Sequence, residues 1–217
     1  MAVAGEERLL ERLIPGRLPP APRSKAHDQR SRRTPRNGSL VPMRTVVLDP
    51  LPGEIEELVE RRRRLGLDRY DELWEGTYHM VTGPGFRHAQ LDQRLAVLLE
   101  PLAQAAGLTA TGPFNLGDPG DFRVPDRGLH RQSDPEAVYC SSAAMVVEIV
   151  SPGDESYEKL GFYAAHGVEE VLVLDEDRGG LQLYRLAGGH YDDEERSLLL
   201  DVLVAHDHTH PPARAGS

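Results

Sequence analysis

The 217-residue chain predicts an α/β protein with a mixed central sheet flanked by helices. Three observations carry that expectation. Residues 86–106 repeat leucine at helical spacing, through Leu91, Leu95, Leu98, Leu99 and Leu102. Residues 143–150 (AAMVVEIV) form a short, almost wholly apolar run of the kind that is buried on both faces of a sheet. The elements also alternate, in the order helix, strand, helix, several strands, helix, strands, which suits a layered α/β fold.

Residues 53–65 (GEIEELVERRRRL) predict the first helix, with acids early and arginines late, as the helix dipole favours. The arginine run Arg61–Arg64 suits the solvated end of that helix better than a nucleic-acid patch. A strand follows at 76–82, then the long helix, which Pro101 should kink or end early and which Gly107 should stop if it runs on. Short strands are expected at 108–111, 114–117 and 122–130, the last with Pro125 inside it. After the 143–150 strand and the turn Ser151-Pro152-Gly153-Asp154, a short helix over 155–166 ends at Gly167. Strands at 169–175, 180–186 and 189–200 close the fold as a meander, with Asp175, Glu176 and Asp177 in a hairpin loop.

The ends differ from the middle. Residues 15–42 are rich in Pro, Arg and Ser, and residues 1–42 together predict a disordered basic tail, with a short helix over 5–14. A start of translation at Met43 is the alternative reading of that segment. The domain is expected over 43–205 and a polar tail over 206–217, whose His206, His208 and His210 suit a tail better than a metal site.

The net charge of −10 hides two parts: residues 1–42 carry nine basic against four acidic residues, and the remainder 16 against 31. A folded region at −15 argues against tight nonspecific nucleic-acid binding, which depends on neutralising phosphates. No apolar run approaches the roughly 18–20 residues of a membrane span, and the first thirty residues lack a secretory core, so a soluble cytoplasmic protein is expected. The single cysteine, Cys140, excludes an intramolecular disulfide and a cysteine-rich zinc site, and reads as a small buried filler. Of 25 basic residues only Lys25 and Lys159 are lysine. A lone lysine in the folded region marks a site that wants a compact point charge rather than a planar guanidinium.

Three residues suggest chemistry when taken together. Asp126 follows a proline at the start of an extended segment. Glu148 interrupts the most hydrophobic strand, where a carboxylate costs several kcal/mol unless it is paired or metal-bound; alternation puts it on a face with Val146 and Val150. Lys159 lies in the helix that turns back toward the end of that strand. Two carboxylates and a lysine can hold Mg²⁺ or Mn²⁺ with a polarised water and stabilise charge on a phosphate. Each also has a plain reading: a turn acid, a strand-end acid and a surface lysine.

The run Val146-Val147-Glu148-Ile149-Val150-Ser151-Pro152, with Lys159, Tyr163 and Gly167-Val168-Glu169-Glu170-Val171, resembles the Uma-two family of restriction endonucleases. That family belongs to the PD-(D/E)xK nuclease superfamily. Leu73-Trp74-Glu75-Gly76, the Pro84 to His88 stretch and Pro125-Asp126 fit as well, so the likeness spans about residues 45–205. It implies a restriction-endonuclease-like core and Mg²⁺-dependent cleavage of DNA. Asp126 and Glu148 would be the metal ligands, and Lys159 the superfamily's lysine moved from the strand to the next helix; the usual lysine position is Val150 here. His88 at the start of the long helix either faces the phosphate or caps the helix. Glu75 either adds an acid or sits in a turn, and Tyr163 reads as packing.

Gly83-Pro84-Gly85 lacks the Gly-Lys-Ser/Thr of a phosphate loop, and Ser151 has no nucleophile-elbow setting. Two rivals remain: a nonhydrolytic nucleic-acid- or protein-binding module on the same fold, and a hydrolase of another phosphate-bearing substrate. Arg87, Arg94, Arg123, Arg127 and Arg131 discriminate, since clustering beside the acids would support a DNA cleft. A homodimer would suit an enzyme that cuts two strands, and no feature of the sequence proves one.

Overall fold

The computed structural model describes Leu9, residues 46–48 and residues 53–204 apart from Ser133, Pro152, Asp154 and Gly179. The expected tail over 1–42, the alternative start at Met43 and the three C-terminal histidines lie outside those residues, except that Leu9 is helical and buried in the core.

Two six-stranded sheets form the fold, rather than one central sheet. The first has β1 (Val46–Leu48), β2 (Glu72–Trp74), β3 (Thr77–Met80), β5 (Asn115–Asp118), β6 (Asp121–Arg123) and β8 (Tyr139–Cys140), in the order β1-β3-β2-β6-β5-β8. The second has β4 (Thr109–Thr111), β7 (Arg127–His130), β9 (Met145–Ile149), β10 (Glu170–Asp175), β11 (Gly180–Ala187) and β12 (His190–Glu194), in the order β12-β11-β10-β9-β7-β4. Each sheet is mixed: β5 and β8 are parallel in one, β9 and β10 in the other. The expected strand over 122–130 is two strands because Pro125 has no N–H to continue a ladder. Across Val124-Pro125-Asp126 the chain leaves one sheet and enters the other.

Helix α1 (Gly53–Arg64) forms as expected, and Arg62 at its end is tied to Asp71 by two hydrogen bonds of 2.9 Å. A short hairpin follows, joining β2 to β3 through Glu75 and Gly76, both in the left-handed region at φ 49° and 89°. That turn matches the twist of the strands it joins. Helix α2 (Phe86–Ala105) runs through Pro101 and is followed by Gly107 at φ 70°. The proline is exposed, and its missing bond would fall on Val97, also on the solvent side of the helix.

The buried stripe of α2, with Leu91, Leu95, Leu99 and Ala103, packs on one face of the second sheet against Met145, Val147, Ile149, Leu172 and Leu174. Val146, Val171 and Val173 face the other way, toward Leu116, Tyr163 and Val168. Burial on both sides is why β9 is apolar throughout except at Glu148. The expected helix over 155–166 shortens to α3 (Leu160–Ala165). Residues 155–160 form tight turns instead, because Glu155 is drawn to His79 and Tyr157 to Asp175 and Gln182. The closing meander matches β10, β11 and β12, with β13 (Arg196–Ser197) and β14 (Val202–Leu203) added as a two-stranded pair. Asp175 makes the hairpin turn by accepting from the N–H groups of Asp177 and Arg178. Cys140 is half-buried in β8 rather than a core filler, since the two-residue strand sits at a sheet edge. Among the described residues no helix is long and apolar enough to cross a membrane.

Candidate active site

The crossing from β6 to β7 sets Asp126 beside the end of β9. There its Oδ2 accepts from the Ile149 N–H at 2.7 Å, and its Oδ1 lies 2.9 Å from His88 Nε2. His88, in the first turn of α2, places its Nδ1 3.3 Å from the Ser151 hydroxyl. Alternation along β9 turns Glu148 to the face of Val146 and away from α2, toward Tyr163 and Lys159. Lys159 immediately precedes α3, and its Nζ lies 3.3 Å from Glu148 Oε1 and 2.9 Å from Glu72 Oε1. Tyr163, one helical turn on, donates its hydroxyl proton to Glu148 Oε1.

Asp126, Glu148, Lys159 and His88 line one cavity together with Glu72, Tyr70, Glu155 and Ser156. It holds about 60 Å³ of water-accessible space, room for a few waters. Glu72, on β2, belongs to this site and was not among the residues expected from the sequence. Its Oε1 accepts from the Val124 N–H and its Oε2 from the Trp74 indole, both at 2.7 Å. Those two bonds fix a carboxylate that is 3% exposed and aim it at Lys159. Glu75, by contrast, sits in the hairpin turn, where its N–H bonds to Asp121. Tyr163 proves to be more than packing, since its hydroxyl anchors Glu148.

The electrostatics follow from three carboxylates meeting one lysine and one histidine. Burial pushes the Glu148 carboxyl up to about 8; Lys159 and Tyr163 pull it back, while Asp126 and Glu72 add to the rise. For Lys159 burial favours the neutral amine, but Glu148 and Glu72 outweigh it and raise the group above its ordinary value. Burial likewise opposes the His88 imidazolium, and the Asp126 hydrogen bond and charge more than compensate, so His88 is also raised. Tyr163 is held well above its ordinary range by burial and by Glu148. The site therefore keeps Lys159 as an ammonium, and its three carboxyl groups outnumber the two groups that can carry positive charge. Among the described residues no three His, Cys, Asp or Glu side chains form a ready cation cage.

None of the five discriminating arginines, Arg87, Arg94, Arg123, Arg127 and Arg131, lines this cavity. Arg87 pairs with Glu176, Arg123 with Asp121, Arg127 with Asp92 and Arg131 with Glu169, on four different parts of the fold. Arg123 is 5% exposed between the rings of Trp74 and Phe162.

Compared with known families, residues 56–209 match the model of Uma2, described as "Putative restriction endonuclease". The chain belongs to this family. Among solved structures, it is similar to the crystal structure of "a putative nuclease belonging to DUF820" from Anabaena variabilis ATCC 29413. That likeness has a TM-score of 0.52 at 17% identity over 63% of this chain and 86% of that one. It establishes the fold, mixed α/β with a restriction-endonuclease-like core. A DrdV–DNA complex solved by cryo-EM aligns at a TM-score of 0.33 with 14% identity, over 64% of this chain and 11% of that one, too distant to carry an argument. No curated protein matches the chain. Lys159 lies in the turns before α3 rather than on the helix, and those tight turns over 155–159 bring it back to Glu148.

Proposed function

We propose that this Uma2 protein is a metal-dependent endonuclease that hydrolyses phosphodiester bonds in DNA. The observation that carries the proposal is the excess of carboxylate in a small buried cavity: Asp126, Glu148 and Glu72 against Lys159 and His88. A carboxyl group that burial and its acidic neighbours keep protonated fits a missing cation, which would let it ionise. The donor set suits a hard cation such as Mg²⁺ or Mn²⁺, which takes one or two carboxylates and keeps waters, and so needs no three-residue cage. Asp126 and Glu148 would hold it. Among the described residues, both hydrogen bonds to Glu148 land on Oε1, and Oε2 would be the oxygen to accept a cation.

The chemistry supplied by the bound cation is charge neutralisation at the phosphate and a more acidic water. The chain's own residues do the rest. The Ile149 N–H and His88 orient Asp126, so His88 is a positioning residue that acts through that carboxylate. Tyr163 fixes Glu148. Lys159, kept protonated by two glutamates, is no general base; its ammonium orients the attacking water and stabilises charge developing on the phosphate. Glu72 sets where that ammonium stands.

Plasmid nicking by purified protein with Mg²⁺ or Mn²⁺, beside Glu148→Ala and Lys159→Ala, tests this reading. Metal-dependent cleavage should fall by about 10²–10³-fold or more in each variant, with circular dichroism unchanged. Cleavage that persists in both variants would assign the activity elsewhere. The paired arginines favour a second reading, a nonhydrolytic binding module, and DNA binding with no cleavage under any cation would select it.

A further inference from the structure

Hydrolysis needs a group that takes a proton from the attacking water, and Lys159, held as an ammonium by Glu72 and Glu148, is not that group. Both ring nitrogens of His88 are engaged as well, one with Asp126 and the other with Ser151. Four acids line the cavity, and three of them are occupied. Asp126 accepts from the Ile149 N–H and faces His88 with its other oxygen. Glu72 accepts on both oxygens, and Glu148 is bonded to Lys159 and Tyr163. The fourth is Glu155. Its Oε2 lies 2.9 Å from His79 Nδ1, and among the described residues its Oε1 has no partner. Its side chain is 30% exposed, the most open of the four to incoming water.

The support behind Glu155 is rigid. His79 is buried in β3 and stacked on Trp74, with ring centroids 4.1 Å apart, and the Trp74 indole also holds Glu72. One stack of rings thus aims Glu155 directly and Lys159 through Glu72. The cavity has room for only a few waters, so a water that meets Lys159 is within one hydrogen bond, or one further water, of Glu155.

We infer that Glu155 is the general base of the cleavage and that His79 is its positioning residue. As the water oxygen bonds to phosphorus, one of its protons passes to Glu155 Oε1. The bond from phosphorus to the leaving oxygen breaks, that oxygen takes a proton from solvent, and Glu155 returns its own proton to solvent. This inference rests on the nuclease reading and adds the proton acceptor that the reading requires.

The test compares wild type with Glu155→Gln, because a glutamine amide can keep the bond to His79 but cannot take the proton. At saturating plasmid and Mg²⁺, nicking by Glu155→Gln should be about 10²–10⁴-fold slower, with the plasmid concentration for half-maximal rate unchanged. Its binding to DNA in Ca²⁺, and the rise in its melting temperature with Mg²⁺, should match wild type. Glu155→Ala opens room for a small carboxylate, and added formate should restore part of its nicking. Nicking by Glu155→Gln at the wild-type rate overturns the base and leaves the nuclease reading standing. Loss of DNA binding or of the Mg²⁺ effect in Glu155→Gln also overturns it, by making Glu155 a binding group. A loss of nicking in Glu155→Ala that formate does not reverse assigns Glu155 to holding the turns, and overturns it too. A wild-type protein that cuts no nucleic acid overturns both readings.

Discussion

Two buried glutamates on neighbouring strands meet opposite surroundings. Glu170 opens β10 and is 1% exposed; Glu148 lies near the end of the parallel β9 and is 3% exposed. Around Glu170 every demand is met. Its Oε1 accepts from the Leu198 N–H at 2.8 Å and Arg185 Nε at 3.3 Å, and its Oε2 from the Ser197 hydroxyl at 2.5 Å. Around Glu148 both bonds crowd onto one oxygen, and two further carboxylates stand close enough to raise it. Burial of an acid therefore does not by itself mark a functional site; a buried acid among like charges does. Glu170 holds the closing β13–β14 segment to the sheet, whereas Glu148 is buried among like groups that raise it.

The largest expected effect that sharpens this contrast is at Glu170. Glu170→Ala strands Arg185, Ser197 and the Leu198 N–H, and should cost on the order of 3 kcal/mol in urea melts. A loss below about 1 kcal/mol would remove Glu170 as the structural member of the pair. Glu148→Gln should act in the opposite sense, stabilising the metal-free protein by on the order of 1 kcal/mol at pH 8. The sign follows from the raised carboxyl. A group raised in the folded state contributes stability that is complete below the ordinary glutamate range and is lost as pH climbs through about 8. The gap between Glu148→Gln and wild type should therefore widen from pH 5 to pH 9, and Mg²⁺ should raise the wild-type melting temperature but not the variant's. Parallel stability curves would mean that the site is balanced without a cation. Smallest of all is the exposed pair Arg131 and Glu169, joined at 2.7 Å. Arg131→Ala should leave the melting temperature where it was, because water screens that pair.

How much of this was legible in the sequence depended on how local each signal was. Asp126, Glu148, Lys159 and His88 stood out because each is a polar residue in a setting that asks for a reason: after a proline, inside an apolar strand, alone among arginines, at a helix start. The structure brings all four to one cavity. Glu72 escaped because a three-residue strand carries almost no periodicity, and an acid beside Asp71 reads as surface. Its burial comes from the Val124 N–H, 52 positions away, and from the Trp74 indole. Tyr163 was within reach, since it lies four residues after Lys159 and so on the same helical face. The division into two sheets was hidden for a similar reason. Pro125 marks a break, but only the pairing of β6 with β2 and of β7 with β9 says that the two sides of it join different sheets.

The arginine bias has a practical consequence. The chain has two lysines, and Lys159 is 12% exposed and held as an ammonium by Glu72 and Glu148. An amine-reactive reagent needs an accessible, uncharged amine, so in the folded protein Lys159 resists acylation. An acyl group found on Lys159 would be a chemical record that the cavity had opened.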